Sequence, residues 1–149
     1  MALEFTFVPH GYLHQVVPAI IPLFKRSEFW TRGRASIDDI LRFLFTGDMH
    51  LWIGYEDDFS NIKFQLITEI KQYPKAKMFV VQYCSGVFGV LDAASDLVFE
   101  TLERAAIDSG CDGIEFFGRP GWGVEAKKQG YSAMTVVYEK HFSREGEPE

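Results

Sequence analysis

Two groups of side chains stand out as able to grip a partner. Lys25, Arg26, Arg32 and Arg34 form the one local basic cluster, with Phe29 and Trp30 among them. Cations interleaved with aromatic rings can hold a phosphate backbone by charge and stacking, or an acidic protein surface. Further on, Phe116, Phe117 and Trp122 flank Gly118-Arg119-Pro120-Gly121, a turn that leaves a guanidinium among aromatic rings. Trp, Phe and Arg are the side chains that dominate protein interfaces. Trp30, Arg32, Arg34, Arg119 and Trp122 are therefore candidate partner-binding residues. Strand alternation sends Phe116 and Phe117 to opposite faces, so one of them belongs to the core.

No metal site is expected. His10 and His14 have the interval that puts two imidazoles on one helical face, but Gly11 follows His10 where a metalloprotease helix carries Glu, and Pro9 delays the helix. His50 and His141 lie in alternating segments without a carboxylate or thiol at ligand spacing. Cys84 and Cys111 sit in apolar surroundings and read as buried thiols in a reducing compartment, hence a cytoplasmic protein.

The whole chain narrows the choice of partner. Its 149 residues are 47% hydrophobic, 15% aromatic and 24% charged, the profile of one compact soluble domain. Fifteen Lys plus Arg against twenty-one Asp plus Glu leave a net charge of -6, which disfavours nucleic acid and anionic membranes and favours a protein partner. The uncharged stretch from Phe5 to Phe24 contains three prolines, two histidines and a glutamine, so it is neither a membrane span nor, following Glu4, a signal peptide. Residues 1–142 read as the domain and 143–149 as a polar tail that frays.

Periodicity supplies the elements. Leu13, Val16, Val17, Ile20, Ile21 and Phe24 form a helical stripe that Pro18 and Pro22 should break or kink. Ser36 with Asp39 three residues on predicts a capped helix, buried through Ile37, Ile40, Leu41 and Leu44 and ended by Gly47. His50–Tyr55, Phe64–Tyr73 and Lys77–Cys84 predict an antiparallel meander. A helix from about Ala93 to Ser109 is long enough to cross over and return the strand at Gly113–Phe117 parallel to the one at Val80. A short helix, Gly121–Gln129, and a long alternating strand, Tyr131–Phe142, close the order. The fold class is α/β, with a mixed, mostly antiparallel sheet flanked by helices. Ligands in such sheets bind beyond the carboxyl ends of parallel strands, which directs attention to Cys84–Asp92.

This order, over nearly the whole chain, resembles the GNAT superfamily of N-acetyltransferases. Locally, the segment from Gly110 to Lys127-Lys128-Gln129-Gly130-Tyr131 is similar to the family's strand, helix and lysine-rich Gly-Phe ending. More narrowly, Trp30-Thr31-Arg32-Gly33-Arg34, Glu69-Ile70-Lys71-Gln72-Tyr73-Pro74 and Cys111-Asp112-Gly113-Ile114-Glu115 look like stretches of small GNAT-like proteins of podovirus-type tailed bacteriophages, among them virion and assembly components. The narrower resemblance implies a protein of the host cytoplasm or of the particle itself.

The resemblance implies acetyl-CoA as cofactor in an active enzyme. Backbone groups of Val80, Val81, Gln82 and Tyr83 would then hold the cofactor arm, and Gly86 and Gly89 would cradle its phosphates. The family's pyrophosphate loop runs Gln or Arg, two residues, Gly, one residue, Gly or Ala; here Gln82-Tyr83-Cys84-Ser85-Gly86-Val87-Phe88-Gly89 matches neither interval. No Lys or Arg occurs between Lys77 and Arg104, while Asp92 and Asp96 lie near the start of the crossover helix, where they compete with a phosphate for its positive end. The family's frequent catalytic Tyr, five residues before the closing motif, is met by Ala126, and its Asn near the start of that segment by Arg119 or a neighbour. Tyr131, Tyr83 and Tyr138 remain as acids, and Glu69 and Glu115 as bases. The expectation is a GNAT fold with a degenerate acyl-CoA site and no cofactor, acting as a binding or assembly component. An active N-acyltransferase and a host-targeting regulator are the alternatives.

Overall fold

The computed structural model describes residues 3–25, 34–86, 89–117 and 123–143. Five strands form one sheet in sequence order: β1 (Leu3–Phe7), β2 (His50–Glu56), β3 (Ile62–Gln72), β4 (Lys77–Gly86) and β5 (Gly113–Phe116). The first three junctions are antiparallel and β4–β5 is parallel, as the crossover predicted.

Two apolar layers sandwich the sheet. On one face lie α1 (Leu13–Lys25) and α2 (Ile37–Thr46), whose Val16, Val17, Ile20, Phe24, Ile40 and Leu44 meet Leu51, Ile53 and Ile67. The opposite face carries α4 (Ser95–Asp108), where Val98, Leu102 and Ala106 pack on Phe5, Trp52, Phe64, Leu66, Phe79 and Val81. Each fully buried Val, Leu, Ile or Phe side chain contributes roughly 1.5–3 kcal/mol of transfer free energy. Within the second layer the Trp52 indole N–H donates to Thr68 Oγ1 at 2.9 Å, so the one polar edge of that ring is satisfied.

Local signals explain the helix ends. Ser36 and Asp39 exchange side-chain and backbone hydrogen bonds of 3.1 and 2.9 Å, and Gly47 takes the left-handed φ of 86° that stops α2. Three expectations need correction. α1 is one unbroken helix through Pro18 and Pro22, and His14 and Pro18, the residues four positions ahead of the two prolines, lie on its exposed side, where an unbonded carbonyl costs least. The crossover begins earlier than Ala93, with a turn of helix, α3 (Val90–Ala93), set off from α4 by Ala94 at φ −99°, ψ 8°. Tyr131–Phe142 is no strand: after α5 (Gly123–Lys128) the chain has neither helix nor strand and joins no ladder among the described residues. Its alternation is real, but a ladder needs a neighbouring edge as well as a pattern.

One cross-strand row bears on the site. Gly54, Phe64 and Gly86 are register partners across β2, β3 and β4. The Phe64 side chain, fully buried, lies over the bare Gly54, and a Cβ on Gly86 would sit 2.7 Å from both the Lys63 carbonyl oxygen and Phe64 Cα. Both glycines make room for that one residue.

Candidate functional site

The opening in the sheet arises from unequal strand lengths. Met78–Val81 of β4 pair with Gly113–Phe116 of β5, and there β5 ends. β4 continues to Gly86, bonded only to β3 among the described residues. A strand presents backbone groups alternately to its two sides, so those on the β5 side of residues 82–86 face the gap. The register also slips: Ile67 opposes Tyr83 while Thr68 opposes Val81, leaving Gln82 as a bulge at the mouth of the gap. Of the four residues proposed to hold a cofactor arm, Val80 and Val81 are paired on both sides, whereas Gln82 and Tyr83 line the opening.

The phosphate end of this cleft has a different character. Gly86 serves the row around Phe64. Gly89 has φ +80° with nothing within 4 Å of the place a side-chain methyl would take, and its carbonyl accepts from Ala93 N–H at 3.2 Å. Asp96 occupies the first turn of α4 and accepts from Gln129 Nε2 at 2.5 Å. The Ser95 hydroxyl lies 3.4 Å from Glu125 Oε2. Two carboxylates therefore cluster where the helix dipole is positive, stabilising α4 and repelling an anion.

Tyr131 is anchored by its N–H to the Ala126 carbonyl at 3.0 Å, and its ring packs 5.1 Å from Phe99 and 5.4 Å, edge-on, from Phe116. Its hydroxyl is buried near Glu103 and makes no hydrogen bond of standard geometry among the described residues. Burial first, and then the nearby Glu103 carboxylate, push its pKa far above the usual phenol value. A phenol so placed keeps its proton and is a poor acid toward a thiolate of ordinary basicity, about 8.5. Ala126 is buried. Tyr83 is half-buried against the α1 and α2 layer, and Tyr138 is 91% exposed.

The carboxylates make a second grouping. Glu69 and Glu115 are the register partners of Val80 on either side, so both share its face. Gln82, the bulge residue, donates its amide to Glu69 Oε1, and Lys71 Nζ lies 3.5 Å from the same oxygen. Tyr73 donates to Glu115 Oε1 at 2.6 Å, and that bond raises the phenol's pKa. The sequence marked both glutamates; Tyr73 was legible too, four residues from Glu69 on the same strand face, whereas Gln82 reaches Glu69 only because of the bulge.

Trp30, Arg32, Arg119 and Trp122 lie outside the described residues. Arg34 makes an ion pair with Glu139, so this candidate contact residue has a partner within the chain. Phe116 joins the core and Phe117 is 50% exposed, the division that alternation required. Cys84 and Cys111 form no disulfide and are partly exposed, not buried as expected. His10 Nε2 is 2.8 Å from the Phe45 carbonyl oxygen, and no His, Cys, Asp and Glu group suited to a metal occurs among the described residues. No helix among them is long and apolar enough to cross a membrane.

No protein-family model matches the chain, and no curated protein matches it in sequence. Solved structures do. Glucosamine-6-phosphate N-acetyltransferase from Arabidopsis thaliana superposes with a TM-score of 0.66 at 12% identity, covering 96% of this chain and 100% of that one. A Trypanosoma brucei acetyltransferase gives 0.67 at 11% identity, covering 95% and 100%. Ribosomal-protein-alanine N-acetyltransferase from Brucella melitensis gives 0.66 at 15% identity, again covering 95% and 100%. Identities this low carry the architecture and nothing finer.

Proposed function

We propose that this GNAT-fold chain acts as a binding or assembly component whose acyl-CoA site has degenerated. The opening where β5 ends short of β4 does not by itself discriminate between a working and a retired enzyme. The chain's own departures do. The observation that carries the reading is Asp96, fixed by Gln129 in the first turn of α4, where a coenzyme's pyrophosphate would need positive potential. Tyr131, sealed among Phe99 and Phe116, supports it. The resemblance of Trp30–Arg34, Glu69–Pro74 and Cys111–Glu115 to small phage proteins favours a role in a tailed-phage particle or its assembly, ahead of a regulator aimed at the host.

A second reading is an acetyl-CoA-dependent N-acyltransferase, favoured by the bulge at Gln82 where β4 runs on beyond the end of its pairing with β5. That stretch fits a pantetheine arm, and bound acetyl-CoA would supply an activated thioester. Glu69, held by Gln82, would orient the amine and take its proton, leaving positioning as the main source of rate. Calorimetric titration with acetyl-CoA, paired with melting curves, separates the two. No heat and no melting shift are expected; micromolar affinity with thiol release from an amine panel would overturn the leading reading. Mass spectrometry of purified particles and assembly intermediates tests the phage role, and absence from both rejects it.

A further inference from the structure

The solvent side of α1 carries no charge until its last residue. His14, Gln15, Pro18, Ala19 and Pro22 are exposed along it, Lys25 ends it, and Tyr12, in the single turn of helix that runs into α1, is 53% exposed. A helix face that meets only water ordinarily carries charged residues. The other long helices among the described residues conform: α2 exposes Asp38 and Arg42, and α4 exposes Asp96, Glu100, Arg104 and Asp108. α1 departs in a second way. Pro18 and Pro22 have no N–H, so the carbonyls of His14 and Pro18 lose the helical donors four residues on, and the same side of the helix offers an imidazole and a carboxamide as donors.

We propose that this face is where two copies of the chain meet, α1 packed antiparallel on α1 across a two-fold axis. The charge pattern excludes charged partners. Nucleic acid or an anionic bilayer needs cations, and the face offers Lys25 alone; a basic surface needs carboxylates, and the face has none. A net charge of -6 makes two copies repel each other, and they do so least where the surfaces brought together are neutral. Shape agrees. At about 100° per residue, Tyr12 and Ala19 lie on one flank of the exposed stripe, His14 and Pro18 on the other, and Gln15 between them. A two-fold axis at about residue 16 sets each flank against its own reversed copy. Tyr12 of each chain then covers Ala19 of the other, and His14 and Gln15 of each reach the other's Pro18 carbonyl. The contact is isologous, so it closes at two. A helix about 20 Å long puts it at the small end of specific interfaces, which makes the dimer weak. This inference stands on α1 alone and holds for a binding component and an enzyme alike.

The test uses the full chain. Sedimentation equilibrium over a wide concentration range is expected to show a reversible dimer dissociating at roughly 10–100 µM. It should tighten as salt rises, because the contact holds no ion pair and salt screens the net repulsion. Ala19→Glu, at an exposed helical position opposite Tyr12, should weaken the dimer at least about tenfold and leave the circular dichroism unchanged. Tyr12→Cys combined with Ala19→Cys should cross-link two copies on oxidation, well beyond either single variant or the wild type. Within one chain those positions are about 10 Å apart along the helix, too far for a disulfide. A monomer at every concentration overturns the proposal, and if that monomer co-sediments with phosphatidylserine vesicles the face belongs to a lipid surface instead. A dimer indifferent to Ala19→Glu overturns it as well, as does one that the paired cysteines cross-link no better than either alone.

Discussion

The row Gly54–Phe64–Gly86 lets the meaning of a glycine be measured. Alanine at Gly86 would place its methyl 2.7 Å from the Lys63 carbonyl oxygen and from Phe64 Cα, against about 3.5–4.0 Å for an ordinary contact. The β3 and β4 backbones must separate by about 1 Å at that point, an overpacking cost of roughly 1–3 kcal/mol. For a domain of this size that lowers Tm by about 2–12 °C. Alanine at Gly54 instead meets ring atoms of Phe64, 2.8 Å away at Cδ1 and nearer at the ring's far edge. The two variants therefore respond differently to shortening the ring. Phe64→Leu should relieve Gly54→Ala, giving a favourable coupling of about 1 kcal/mol, and should leave Gly86→Ala uncoupled, because Cα, Cβ and the carbonyl are still there. Urea denaturation of the six proteins in the two cycles provides the readout. Equal coupling at the two glycines, or a Gly86→Ala variant that melts like the wild type yet loses acetyl-CoA binding, would refute the packing argument and return Gly86 to a phosphate role.

Gln65 is fully buried with its amide donating to Ser85 Oγ at 2.6 Å and its own carbonyl oxygen unpaired. Ser85→Ala alone should cost about 1–3 kcal/mol by orphaning that donor, whereas Gln65→Leu combined with Ser85→Ala should recover near wild-type stability in urea. Burial holds the His50 pKa below its ordinary 6.5, so the unfolded chain binds the proton more readily; stability should fall as pH drops through 6.5 and below, and His50→Gln should flatten that slope in melts across the range. Tyr131→Phe removes a buried hydroxyl that makes no hydrogen bond of standard geometry among the described residues, so Tm should hold or rise, and any thiol-releasing activity should stay within about tenfold of wild type; a larger drop would make Tyr131 an acid after all.

What could be read from the sequence was what neighbours in the sequence decide. The capping box at Ser36 and Asp39 and the left-handed stop at Gly47 each lie within four residues of their partners, and both are present. The parallel return of β5 followed from a helix long enough to cross the sheet. Pro18 and Pro22 misled because the cost of a proline depends on where the freed carbonyl points. His14 and Pro18 lie on the exposed side of α1, a fact set by how α1 docks rather than by the prolines. Tyr131–Phe142 misled for a related reason: alternation states that a segment can form a strand, and the partner edge is supplied from elsewhere.

The candidate site obeys the same division. Glu69 and Glu115 were chosen by type, and register places them on either side of Val80, yet what each carboxylate does is set by Gln82 and Tyr73, thirteen and forty-two residues distant along the chain. Gly86 invited a phosphate reading because it ends a strand ahead of a helix; the structure adds a packing reason for its smallness, Phe64, brought across by a hairpin. The carboxylate at the head of α4 was legible as a charge, but only Gln129, thirty-three residues on, shows it fixed in place. A mobile aspartate could swing aside for a pyrophosphate at little cost. One already hydrogen-bonded to the residue that follows α5 gives up that bond as well as its place on the helix dipole, and this is the ground on which the proposed loss of coenzyme binding rests.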